Sequence, residues 1–143
     1  MQSVLLTVSE FASISNQNQL NINSIFDVIE ADEFPTVIPR LVVSIQFRAR
    51  PDEYNRGYDL QLILLTPDEK LMVDFTGSGI VPEYPHGVSV LISQVITLRN
   101  LNFRKPGTYR FEVNLNGIHV SSAPLTLIEV KEESTQPEAS IEN

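Results

Sequence analysis

Apolar and polar residues alternate with a period of two along most of the chain. In LVVSIQFR, Leu41, Val43, Ile45 and Phe47 share one face, and Val42, Ser44, Gln46 and Arg48 share the other. In TYRFEVNL, Tyr109, Phe111, Val113 and Leu115 alternate with Arg110, Glu112 and Asn114. YDLQLILL places Leu60, Leu62 and Leu64 together. VSVLISQVITL aligns Val88, Val90, Ile92, Ile96 and Leu98, with Gln94 as the one polar exception. A repeat of two is the signature of strands with one buried face.

Turn chemistry separates these runs. NQNQ at 16–19 lies between two strand-like segments and suits a hairpin loop, and TPDEK at 66–70 places Pro67-Asp68 in a turn. Pro106-Gly107 is a strong turn signal. Asn116-Gly117 has the residues a tight two-residue hairpin needs, since both must take positive φ. The stretches 51–57 and 76–87 read as longer loops. No window holds a helical period; the nearest candidate is SEFASIS at 9–15, whose serines and β-branched residue make a poor helix. Short strands at intervals of ~8–12 residues predict an all-β chain, a single antiparallel β-sandwich of about seven to nine strands. After Val130 the sequence KEESTQPEASIEN loses its apolar residues. One domain over 1–130 and a disordered acidic tail over 131–143 are therefore expected.

Composition narrows the function classes. The chain of 143 residues is long enough for one domain with a real core. It has no cysteine, so disulfides, thiolate metal sites and cysteine nucleophiles are excluded together. The opening MQSVLLTVSE has no basic stretch followed by a long apolar run, which predicts a cytoplasmic protein with no membrane partner. The formal net charge is -8. Half of that excess falls at the end, where Glu129, Glu132, Glu133, Glu138 and Glu142 face only Lys131. Such a chain repels phosphate backbones, so nucleic acid is not an expected partner. Arg40, Arg48, Arg50 and Arg56 are close in sequence, but Asp52, Glu53 and Asp59 interleave with the last two and argue against a basic patch.

Two blocks carry a resemblance. One is LNINSIFDVIEADEFPTVIPRLVVSIQFR at 20–48; the other is LRNLNFRKPGTYRFEVNLNGIHVSSAPLTL at 98–127. With the opening VLLTVSEFASIS, they resemble a bacterial domain-of-unknown-function family of small immunoglobulin-like β-sandwich proteins. The likeness spans nearly all of residues 3–130. It implies an immunoglobulin-like fold and brings neither an activity nor site residues.

The candidate chemical sites are weak. Asp27, Glu30, Asp32 and Glu33 crowd one segment, but on a strand Asp27 and Glu30 face opposite ways, and no glycine-containing calcium loop is present. They read as a solvated strand end, with Asp27 a partly buried hydrogen-bond acceptor. His86 and His119 lack metal-ligand spacing, and no GxSxG motif supports a nucleophile. TGSG at 76–79 lacks the Lys-Ser/Thr of a phosphate loop, so Gly77 and Gly79 read as loop flexibility. No catalytic group, metal or cofactor is expected. The loops are more informative. RPDEYNRGY carries Tyr54, Arg56 and Tyr58, and the loop at 76–87 carries Ile80, Val81 and Tyr84, residue types that mark contact surfaces. The expected function is a non-catalytic protein–protein interaction or scaffold module, with an unidentified protein partner or self-association. The alternative is a small-ligand or carbohydrate-binding sandwich, which starts without tryptophan and with only four tyrosines.

Overall fold

The computed structural model describes residues 1–131. The tail expected over 131–143 therefore lies, from residue 132 onward, outside the described residues. Nine strands form: β1 (Gln2–Ile14), β2 (Leu20–Ile25), β3 (Val28–Ala31), β4 (Thr36–Ala49), β5 (Gly57–Leu65), β6 (Leu71–Ile80), β7 (Val90–Phe103), β8 (Gly107–Leu115) and β9 (Ile118–Glu129). Among the described residues the only helical pieces are single 3-10 turns at Pro51–Glu53 and Pro85–Gly87. No helix there is long and apolar enough to cross a membrane. The weak helical candidate at 9–15 runs as strand through Ile14.

The strands form two sheets, ordered β2-β1-β4-β7 and β3-β9-β8-β5-β6. All pairs are antiparallel except β3 with β9, which is parallel and departs from the expected all-antiparallel arrangement. The cause lies at Phe26-Asp27. Instead of turning back, the chain crosses there from one sheet to the other. Phe26 N donates to Val8 O (3.1 Å) on the first sheet, and Thr126 N donates to Asp27 O (2.9 Å) on the second.

The predicted alternation builds the core. Leu41, Val43, Ile45 and Phe47 of the first sheet meet Leu60, Leu62, Leu64, Phe111 and Val113 of the second. Full burial of each such side chain stabilises by roughly 1.5–3 kcal/mol. The sheets touch through two edge-to-face ring pairs, Phe47–Tyr58 (centroids 5.1 Å apart) and Phe103–Tyr109 (4.9 Å). Gln94, the polar exception on β7, donates from Nε2 to the Tyr58 hydroxyl (2.7 Å), so the pattern break is a partnered group between the sheets. At Pro39 and Asn100 both β4 and β7 change face. Ile38 and Leu101 lean on the core, whereas Arg40 and Arg99, directly opposite one another, point outward.

The predicted turns form at 16–19, 66–70 and Asn116-Gly117, where φ is 52° at Asn116 and 79° at Gly117. The 76–87 loop is shorter than expected, because residues 76–80 belong to β6. Gly77 and Gly79 are accordingly strand residues rather than flexible loop. A Cβ on Gly79 would lie 2.6 Å from Tyr58 Cζ, so this glycine is what lets the Tyr58 ring close down on the strand.

Candidate interaction surface

Loops 50–57 and 81–89 meet at one end of the fold. Asn55 N donates to Val81 O (2.8 Å), and Val81 N donates to Arg56 O (2.9 Å). Asn55 Nδ2 donates to Glu83 Oε1 (2.9 Å), and the Tyr54 hydroxyl donates to Val88 O. The Met1 amino group lies 3.2 Å from Glu53, which joins the start of β1 to the same rim. The Arg50 backbone N–H (2.9 Å) and that amino group hold the Glu53 carboxyl below its usual range. Two rim residues other than glycine, Asn55 (φ 62°) and His86 (φ 68°), adopt left-handed backbone, a region both residue types enter more readily than most.

The six residues singled out from the sequence divide into two groups. Tyr58 is 5% exposed and Val81 is fully buried, so neither can meet a partner. Each faces inward because it continues the core face of its strand or loop: Tyr58 packs on Phe47, and Val81 is clamped by its two backbone bonds. Ile80 (69% exposed) and Tyr84 (42%) lie on the surface, as does Arg56, and Tyr54 is half-buried. Val88, 47% exposed, completes the apolar part of the rim and was not among the expected residues. Its place in the period-two run predicts an inward side chain, but β7 begins only at Val90. What the rim offers is three exposed apolar side chains, Ile80 at the end of β6 and Tyr84 and Val88 in the loop after it, with Arg56 exposed on the other loop and four hydrogen bonds joining the two loops. Aromatic and arginine side chains are residue types enriched in protein contact surfaces.

The other candidates do not assemble. Asp27 is exposed rather than partly buried, because only its carbonyl points into the structure. Glu30, Asp32 and Glu33 are exposed too, and among the described residues no three His, Asp or Glu side chains converge as metal ligands. His119 lies 3.3 Å from Ser122 Oγ and 4.0 Å from Glu112, on the open outer face of the second sheet. The latter distance is too long for a hydrogen bond that could orient the ring. Glu112 is instead taken by Arg110 (2.6 Å). A depression of about 510 Å³ on the same face is lined by Asp59, Gln61, Thr76, Ser78 and Asn114, with no aromatic ring for a sugar to stack on.

Two ion pairs on the described surface make stability depend on pH. Lys105 holds the Asp68 carboxyl below its usual range, and Arg110, bonded bidentately to Glu69 (2.8 and 3.0 Å), does the same there. Both folded values are depressed, so the ionised forms stabilise the fold above the ordinary carboxylate range, and this contribution is lost as pH falls through the folded values. Glu69→Gln is expected to lower the urea midpoint slightly at pH 7 and to shrink the drop between about pH 5 and pH 3. Parallel urea titrations of the two proteins check it, and an unchanged drop would remove Glu69 from the account.

No curated protein matches the sequence. Among solved structures, the chain is similar to the Pseudomonas fluorescens alkylpurine DNA glycosylase AlkC bound to DNA containing an abasic site analog. The identity is 18%, over 71% of this chain and 27% of that one, with a TM-score of 0.36, a likeness too slight to bear on fold type or function. A family model matches residues 4–128, from the first strand to the last. The chain belongs to the family of unknown function DUF6941.

Proposed function

We propose that the chain is a non-catalytic protein–protein interaction module on an immunoglobulin-like sandwich, and that the rim made by loops 50–57 and 81–89 is its contact surface. One observation carries the reading: Tyr84 and Val88 on one loop, Ile80 at the end of β6 leading into it, and Arg56 on the other loop all stand exposed, and the two loops are bonded to one another. Aromatic, aliphatic and arginine side chains on a preorganised backbone lose little entropy on binding. The immunoglobulin-like assignment is supported by Tyr109. Near the start of β8, its hydroxyl donates back to Lys105 O (2.7 Å), the corner bond typical of that fold. The strand order supports it too, since the chain alternates between sheets as β4, β5-β6, β7 and β8-β9.

The test compares capture of host proteins by the tagged chain and by an Ile80→Ser/Tyr84→Ala variant. Both positions are exposed, so the variant should fold. The expected result is one stoichiometric partner, reduced at least tenfold by the double change. Equal capture by both proteins, or no partner with either, contradicts the proposal.

A further inference from the structure

Among the described residues each sheet ends in two open edges: β2 and β7 in the first, β3 and β6 in the second. An edge strand offers a row of unpaired N–H and C=O groups, which chains commonly blunt with short strands, irregular backbone, proline or basic charge. β2 and β3 are six and four residues long. β2 and β7 also contain left-handed residues, Ser24 (φ 61°) and Asn100 (φ 55°), and β7 carries Arg99. β6 differs. Its sequence LMVDFTGSGI has no proline, no basic residue and no left-handed backbone. Its one irregularity is at the start, where the register with β5 shifts between Leu71 and Val73. From Val73 to Gly79 the pairing with β5 is regular.

Val73, Phe75, Gly77 and Gly79 stand opposite Leu64, Leu62, Leu60 and Tyr58, on the core side of the sheet, yet Phe75 is 38% exposed. Asp74, Thr76 and Ser78 are exposed on the outer face. Asp59 N and O both bond Asn116 at the end of β8 (2.9 Å each). Backbone groups alternate in direction along an antiparallel strand, so Tyr58, Leu60 and Leu62 point theirs at β6. Their partners Gly79, Gly77 and Phe75 answer them, which leaves the N–H and C=O of Asp74, Thr76 and Ser78 on the open edge.

This segment is its own complement. Laid antiparallel on a copy of itself with Thr76 against Thr76, it pairs the open groups of Asp74 with those of Ser78. Phe75 then stands opposite Gly77, and Val73 opposite Gly79, so each bulky residue meets a position without a side chain. The Phe75 ring already leans over Gly77 of its own strand, where a Cβ would lie 3.4 Å from Cε1, and this brings the two rings together across the axis. The other three edge strands contain no glycine. Asp74, the one charged residue of β6, faces the Ser78 hydroxyl and is held by Gln61 Nε2 (3.0 Å). The two Asp74 carboxylates fall four positions apart along the pair, about 13 Å, beyond the screening length of about 10 Å at 0.1 M salt.

We propose that β6 pairs antiparallel with β6 of a second copy of this chain, Thr76 against Thr76, joining two five-stranded sheets into one. The paired residues 73–79 stop short of Ile80 and the rim, so the contact does not rest on the function proposed above.

Sedimentation equilibrium of the full chain, from micromolar to submillimolar concentration, should show the mass rising from one chain to two. Thr76→Lys sets like charges against each other at the axis and should weaken the association at least tenfold. Ser78→Lys, on the same exposed face, sets its charge opposite Asp74 and should preserve or tighten it. The absence of cysteine allows a second readout. Directly paired Cα atoms at the axis lie about 5.5 Å apart, within disulfide reach. Thr76→Cys should therefore cross-link in air at least tenfold faster than Ser78→Cys. A single-chain mass throughout, equal weakening by the two lysine variants, or cross-linking no faster at 76 than at 78 overturns the proposal. The Ile80→Ser/Tyr84→Ala variant should still dimerise; loss of the dimer there assigns self-association to the rim and overturns the β6 contact.

Discussion

Gly79→Val is expected to destabilise the fold by about 3 kcal/mol, and Gly79→Ala by about 1–2 kcal/mol. The φ of Gly79 is not left-handed, so backbone strain is not the cause. The cost is steric: a Cβ would meet Tyr58 Cζ at 2.6 Å and Cε1 at 2.8 Å. The ring has little room to retreat, since Phe47 packs edge-to-face against it and Gln94 Nε2 holds its hydroxyl (2.7 Å). Moving it breaks a bond between the sheets and opens the core beside Phe47. Urea denaturation measures the loss. Combining Gly79→Ala with Tyr58→Leu isolates the cause, because the shorter side chain should cancel most of the alanine penalty. An undiminished penalty in the Tyr58→Leu background would mean that the glycine is needed for another reason.

Tyr109→Ala is expected to cost about 3–5 kcal/mol, and Tyr109→Phe about 1–1.5 kcal/mol. The residue is 2% exposed, and its ring stands edge-to-face to Phe103 at 4.9 Å. Truncation to alanine removes that contact, leaves a cavity between the sheets and deletes the hydroxyl bond to Lys105 O. Phenylalanine keeps the ring and loses the bond alone, so the pair of variants separates packing from hydrogen bonding at this corner. Gly107, two residues earlier, is closely packed as well; a Cβ there would lie 2.6 Å from Pro67 Cγ. Denaturation midpoints of the two variants check the ratio. Equal losses would place the weight on the hydroxyl, contrary to the packing argument.

Local rules made much of this architecture readable. The period-two runs at 41–47, 60–64 and 109–115 are buried on the expected face, and the Asn116-Gly117 dipeptide forms the expected hairpin turn. Features that depend on contacts distant in sequence were not readable. The sheet crossing at Phe26-Asp27, and with it the parallel β3–β9 pair, is decided by partners at Val8 and Thr126. Gly79 resembles a loop glycine until Tyr58, 21 positions earlier, is seen lying against it. Arg99 carries no signal of its own, and only the β4–β7 register sets it opposite Arg40. The rim was half legible. Residue type put Ile80, Arg56 and Tyr84 in one group with Tyr58 and Val81, whereas the packing leaves the first three exposed and turns the other two inward.

Hydrogen–deuterium exchange of the chain, alone and bound to its captured partner, tests the interaction reading most directly. Protection concentrated in peptides covering 50–57 and 80–88, with β8 and β9 unchanged, is the predicted result. Unchanged exchange across that rim in a saturated complex, with protection elsewhere on the fold, would contradict it.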